Sequence, residues 1–137
     1  MSETQTPAAV FELPIDMQSI SHTITHPITG VATPASITLA GPTHPIRKAA
    51  MFSRMRALLN EGAAERINPE EQDDDETAFV ASCTLGWSNI TVDGVARPFA
   101  IGAAEALYAD VRFRWLRDQM REVLRQRDLF IGACATV

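Results

Sequence analysis

The stretch Leu85–Phe99, LGWSNITVDGVARPF, constrains the fold of this chain more than any other. Asp93-Gly94 stands between Ile90-Thr91-Val92 and Val95-Ala96, the pattern of a two-residue type I′ hairpin loop in which both central residues take positive φ. Gly86-Trp87 opens the unit with a large ring able to cover a joint between sheet and helices. Pro98 cannot donate to a ladder, so it closes the second strand or lies on an edge. A hairpin of this size cannot bury its own apolar face, so the rest of the chain must cover it.

Alternation supplies a second sheet unit. In Ser19–Thr25, Ile20, His22 and Ile24 fall on one face and Ser21, Thr23 and Thr25 on the other, which is period-2 strand patterning. His26-Pro27-Ile28-Thr29-Gly30 reads as a turn. Ser36–Ala40 alternates again, with Ile37 and Leu39 against Ser36 and Thr38, and Gly41-Pro42 ends it.

The remaining pattern is helical. Thr43 is a candidate N-cap and Pro45 is tolerated in a first turn, so a helix is expected from about His44 to Asn60. Ile46, Ala49 or Ala50, Met51, Phe52, Met55, Leu58 and Leu59 keep amphipathic spacing and predict its core-facing stripe, with Arg47, Lys48, Arg54 and Arg56 mainly outside it. Glu70–Glu76 holds six carboxylates in seven residues, which suits a solvated linker or the start of a helix near Asp74. That short helix should include Phe79, Val80 and Cys83 and end at Gly86. Another short helix is expected over Ile101–Tyr108. A longer one over about Val111–Asp128 sets Trp115, Leu116, Gln119, Met120, Val123 and Leu124 along one side. Arg112, Arg114, Arg117, Arg121, Arg125 and Arg127 carry most of its charge.

These elements predict a small α+β fold with two β-hairpins and three to five helices, and no Rossmann or barrel pattern. The expected organisation is a flexible arm over 1–18, a hairpin and amphipathic helix over 19–67, and an acidic linker or helix start over 68–76. A short helix, hairpin and helical pair follow over 77–131, with a fraying tail over 132–137.

Composition narrows the function. With 137 residues, 46% of them apolar, the chain can build one modest core or two small lobes. Its net charge of −5 argues against general affinity for nucleic acid or anionic membrane. Cys83 and Cys134 form no closely spaced framework and are expected to be reduced. The first residues lack a basic start followed by an apolar core, and no apolar run is long enough to span a bilayer, so a cytoplasmic location is expected.

No catalytic constellation is legible. His22, His26 and His44 lack the neighbouring ligands of a metal site. EEQDDDE lacks the spacing and central Gly of a calcium loop. Cys83 has no surrounding motif and reads as a small buried apolar residue. Neither catalytic residues nor a cofactor nor a metal is expected. The residues singled out are structural or partner-binding candidates: Trp87, Asp93, Gly94, Phe99, Trp115 and Met120, with Arg117, Arg121 and Arg125 on the last helix. Those arginines suit a salt-bridged surface, internal or against another subunit, or recognition of a partner protein.

His26-Pro27-Ile28-Thr29-Gly30 with the Ile37–Pro42 strand and turn, followed by Gly86-Trp87, Asp93-Gly94, Pro98-Phe99 and two helices, resembles the small siphovirus-type tail assembly chaperones of phages and prophages. The resemblance spans roughly Ile24–Ile131. Thr43-His44 departs from it where an acidic residue or Ser is common, and Ala100-Ile101-Gly102-Ala103 replaces the usual polar helix cap. The resemblance implies a chaperone that binds the tape-measure protein in the host cytoplasm, before the tail tube assembles, and is absent from the finished virion. The tail tube protein is a further implied partner. Two alternatives remain: a structural tail or neck subunit retained in the virion, and a small regulatory or nucleic-acid-binding protein.

Overall fold

The computed structural model describes residues 10–61 and 69–132. It is a small mixed α+β fold whose elements follow in the order β1 (Ile15–Asp16), β2 (Ser19–Thr25), β3 (Ala32–Ala40), α1 (Pro45–Glu61), α2 (Pro69–Ser82), β4 (Thr84–Ser88), β5 (Thr91–Val92), β6 (Val95–Ala96), α3 (Ile101–Ala109), α4 (Arg114–Arg125) and β7 (Ile131–Gly132). Short 3₁₀ turns at Val111–Phe113 and Arg127–Phe130 flank α4.

The central sheet is antiparallel in the order β2-β3-β4. It draws two strands from before the acidic run and one from after it. In β3 the alternation holds: Ile37 and Leu39 are fully buried, while Ser36 and Thr38 are not. The strand begins earlier than the sequence pattern suggests, at Ala32, and so contains Pro34. That proline lies beyond the Ser36–Leu39 segment that pairs with β4, so its missing N–H costs no ladder bond to that strand. The ring of His26 closes the preceding turn, its Nδ1 accepting from the backbone N–H of Ile28 at 3.1 Å and of Thr29 at 3.3 Å.

Thr84–Ser88 is a strand rather than the end of a helix. Helix α2 stops at Ser82, and β4 pairs Trp87 with Ile37 and Thr38 with Gly86. The ladder wins because it occupies the open edge of β3, and Thr, Leu and Trp suit a half-buried pleated surface. Upstream, the whole acidic run is helical from Pro69 onward, earlier than the expected start near Asp74. Proline is well placed in a first turn, where its absent donor would have been an orphan, and Glu70 and Glu71 complement the helix dipole.

Helices α2, α3 and α4 supply the other side of the core. Ile24, Ile37, Leu39 and Ala40 of the sheet pack with Val80, Ala81, Cys83, Ala104, Tyr108, Leu116, Met120, Val123, Leu124 and Phe130. Polar atoms within this core are paired. The Tyr108 and Thr84 hydroxyls lie 2.9 Å apart, and Thr84 also donates to the Val80 carbonyl at 2.9 Å. Gln119 bonds both backbone groups of Thr25, accepting from its N–H at 3.0 Å and donating to its carbonyl at 3.1 Å, which fixes the end of β2 to α4.

The segments next to both chain ends pair with each other. Ile15 and Asp16, expected within a flexible arm, meet Ile131 and Gly132, the latter expected to fray, in the small β1–β7 sheet. Met17 N–H donates to the Phe130 carbonyl at 2.6 Å, and Gly41 N–H to the Gln18 carbonyl at 2.8 Å. Gly41 is required here, since a Cβ at that position would collide with the Met17 carbonyl oxygen. The parts of the expected arm and tail over 1–9 and 133–137, Cys134 among them, lie outside the described residues, as does the 62–68 connection. Residues 126–128 leave the expected long helix, which ends at Arg125 and tightens into the 3₁₀ turn.

Candidate partner-binding surface

The N-terminus of α1 is fixed by His44, whose Nδ1 accepts from the Ile46 N–H at 3.1 Å. That is the position and geometry of an N-cap. Thr43 is not the cap; its hydroxyl instead accepts from Gln18 Nε2 at 3.1 Å.

The helix then presents its faces in the reverse of the expected order. Arg47, Ala50, Arg54 and Ala57 turn inward, at helical spacing, and Arg47 is only 9% exposed. Its Nη1 donates to the Ala40 carbonyl at 3.1 Å and its Nη2 to the Leu124 carbonyl at 2.7 Å, with the guanidinium 5.5 Å from the Phe130 ring. Leu124 belongs to the last turn of α4, whose carbonyls have no partner within the helix and carry the negative end of its dipole. Arg54 pairs with Asp75 at 3.0 Å and Glu76 at 3.8 Å, and lies 4.6 Å over the Phe79 ring. Arginine and alanine thus hold α1 to the body, through carbonyls, carboxylates and ring faces.

Met51, Phe52, Met55, Leu58 and Leu59 are left facing solvent, 39% to 82% exposed. Their spacing of i, i+1, i+4, i+7 and i+8 keeps them on one side of the helix. Scattered surface apolar residues need no explanation, whereas a stripe of five over two turns is a candidate interaction surface. Two of its five members are methionines, whose unbranched side chains repack readily against varied apolar partners.

The residues singled out from sequence are placed elsewhere, and most of them are structural. Trp87 and Phe99 meet edge to face with centroids 5.2 Å apart, and Trp87 Nε1 donates to the Arg97 carbonyl at 2.7 Å. Asp93 and Gly94 have φ of 54° and 79°, the two positive values of the expected hairpin turn. Asp93 is 3.0 Å from Arg112, which also pairs with Asp110 at 3.0 Å and so ties the hairpin to the start of the last helical segment. Trp115 is half-buried beside an apolar cleft of about 250 Å³ that also includes Ile24, Ile90 and Leu107. Met120 is fully buried in the core.

The arginines of α4 divide. Arg117 is buried, with its Nη1 2.7 Å from Asp73 and its Nη2 2.8 Å from Asp118, and it also donates to the Thr77 hydroxyl at 3.1 Å. Arg114 adds a second contact to Asp73 at 3.0 Å. The hydrogen bond from Arg117 holds the Asp73 carboxyl below its ordinary range. Among the described residues Arg121 pairs only with Asp118, at 3.9 Å, and Arg125 is exposed. Part of the acidic run is therefore the counter-charge for α4 within the same chain.

Other groups weighed for chemistry are quiet. Burial pushes the Cys83 thiol up to about 11, which leaves little thiolate at neutral pH. Burial lowers the pKa of His22 and favours its neutral form. Among the described residues, no group of His, Cys, Asp and Glu could hold a metal ion, and no helix is long and apolar enough to cross a membrane.

Compared with protein-family models, curated proteins and solved structures, the chain matches none.

Proposed function

We propose that this protein is a non-catalytic phage tail assembly chaperone, which binds the tape-measure protein in the host cytoplasm and promotes tail tube assembly. The observation that supports this reading best is the solvent-facing stripe Met51, Phe52, Met55, Leu58 and Leu59 on a helix docked by its arginines. Such a face suits the apolar side of a partner helix, read in the i, i+4, i+7 manner of helix-in-groove recognition. Binding is stoichiometric. The stripe covers apolar helical segments of a long partner and yields them as tube subunits polymerise. The resemblance of the turn and hairpin motifs to tail chaperones names that partner.

Co-expression of the tagged chain with the long helical tail protein encoded beside it tests the reading. A soluble complex is expected by pull-down and light scattering, with the partner aggregating when expressed alone. Absence of a complex, with self-assembly of this chain into a defined ring, would replace the proposal with a structural tail or neck subunit.

A further inference from the structure

A cleft of about 500 Å³ opens beside α1, α2 and α4, and Arg47, Arg54, Arg121, Arg125 and Arg127 line it against the carboxylate of Glu76. This concentration of positive charge is opposite in sign to the chain as a whole, which carries −5. Internal pairing does not use it up. Arg54 meets Asp75 and Glu76, but among the described residues Arg121 pairs only with Asp118, at 3.9 Å, and Arg127 only with Asp16, at 3.4 Å. Arg125 has no ion pair among the described residues.

Arg47 is the telling member. Its Nη atoms go to two backbone carbonyls, which satisfy hydrogen bonds and, at Leu124, offer the partial charge of a helix C-terminus, but supply no full counter-ion. Its Nε is buried with no hydrogen-bond partner among the described residues, and the same holds for Arg121 Nε. A buried cation short of an anion is costly, and an anionic ligand would offset that cost. Burial already draws the Arg47 guanidinium down from its ordinary range.

The rest of the lining decides which kind of anion. Pro42, Phe79 and Leu124 put apolar surface among the arginines. Met51 and Leu58 follow Arg47 and Arg54 by four residues each, so the exposed stripe of α1 runs alongside the cleft. Apolar and cationic surfaces side by side fit a ligand that is itself part apolar and part carboxylate.

We propose that this cleft receives the carboxylate side chains of an acidic amphipathic helix whose apolar residues lie along the α1 stripe. The proposal rests on the chaperone reading only for the identity of the protein that carries the helix. Arg125 and Arg121 make the first contacts at the rim, and the guanidinium of Arg47 forms the floor.

The test is titration of the full chain with a synthetic amphipathic helical peptide bearing glutamates along one edge of a Leu and Met stripe. Its all-glutamine counterpart and inorganic pyrophosphate serve as comparisons. The glutamate peptide should bind roughly tenfold or more tighter than the glutamine one, and more weakly as salt rises. Arg125→Glu should reduce that difference while leaving the melting temperature near the parent's. Equal binding of the two peptides, no binding of either, or saturation by pyrophosphate without competition from the peptide would each overturn the proposal. Co-expression of the charge-reversed variant with the long tail protein separates the two claims. A complex that forms as well as with the parent chain leaves the chaperone reading standing and removes the cleft from it. A glutamate peptide that binds while the tail protein does not keeps the cleft and removes the chaperone reading.

Discussion

Helices α1 and α4 are both rich in arginine, yet they face opposite ways. Helix α4 buries Leu116, Met120, Val123 and Leu124 and meets the acidic α2 through Arg114 and Arg117. Helix α1 turns Arg47 and Arg54 toward the body and leaves its methionines, leucines and phenylalanine in solvent. The difference follows from what each helix finds opposite it. Three strands, α2 and α3 offer α4 an apolar surface to fill. That core includes no residue of α1, and the surface that α1 meets consists of carbonyl ends, carboxylates and ring faces, which arginine matches. An apolar stripe with no core to enter is then free to serve a partner.

The comparison breaks most sharply if truncation costs the same on both sides of it. Phe130→Ala removes a fully buried ring and should cost about 3–5 kcal/mol of stability in urea denaturation. Leu59→Ala, at a residue 82% exposed, should stay within about 0.5 kcal/mol. Similar losses in the two variants would show that α1 buries its apolar face after all.

Within α4 itself the arginines should divide in the same way. Arg117→Met removes the hydrogen bonds to Asp73, Asp118 and Thr77 and should cost about 1–3 kcal/mol, with both carboxylates partly exposed and still near Arg114 and Arg121. Arg125→Met should be near neutral, as for other substitutions at exposed positions, within about 0.5 kcal/mol. Chemical denaturation of the two variants side by side decides the matter, and equal losses would contradict the assignment of Arg117 as the buried partner.

How far this was legible in the sequence depended on whether local chemistry or leftover surface decided each element. Asp93-Gly94, the alternation of Ile37 and Leu39, and the burial of Met120 all follow from short-range pattern, because turn geometry and strand period leave few options. Thr84–Ser88 did not, since its pairing with Ser36–Leu39 joins residues about fifty apart in the chain and only the open edge of β3 calls for it. The orientation of α1 was ambiguous in principle. Arg47, Ala50, Arg54 and Ala57 form one helical stripe and Met51, Phe52, Met55, Leu58 and Leu59 another, and hydrophobicity favours burying the second. What overrode it, a core already filled by other elements, is a property of the whole fold. Arginines alternating with alanines at helical spacing, next to an acidic run able to receive them, were the available signal.

Acid should weaken the α2–α4 side. Asp73 has a lowered pKa, so its unfolded form takes up a proton before the folded one does as pH falls. The stability it contributes is present above its ordinary carboxylate range and is lost as pH drops through its folded value. Asp73→Asn should flatten the acid limb of a stability–pH curve, and an unchanged limb would place the acid sensitivity elsewhere.

A separate effect lies at the alkaline end. Burial raises Cys83 to about 11 and Tyr108 to about 12, so the unfolded chain loses these protons first. Stability should therefore fall as pH rises from near 9 toward 11, and Cys83→Ser should reduce the first part of that fall. A thiol reagent should label native Cys83 far more slowly than the unfolded chain at pH 8, and equal rates would contradict its burial.

The most direct test of the account is the double variant Met55→Asp/Leu59→Asp, melted alone and then co-expressed with the neighbouring long tail protein. The account predicts a melting temperature close to the parent's together with loss of the soluble complex. A large fall in melting temperature would mean that the stripe belongs to the core, and an intact complex from a well-folded variant would mean that α1 is not where the partner binds.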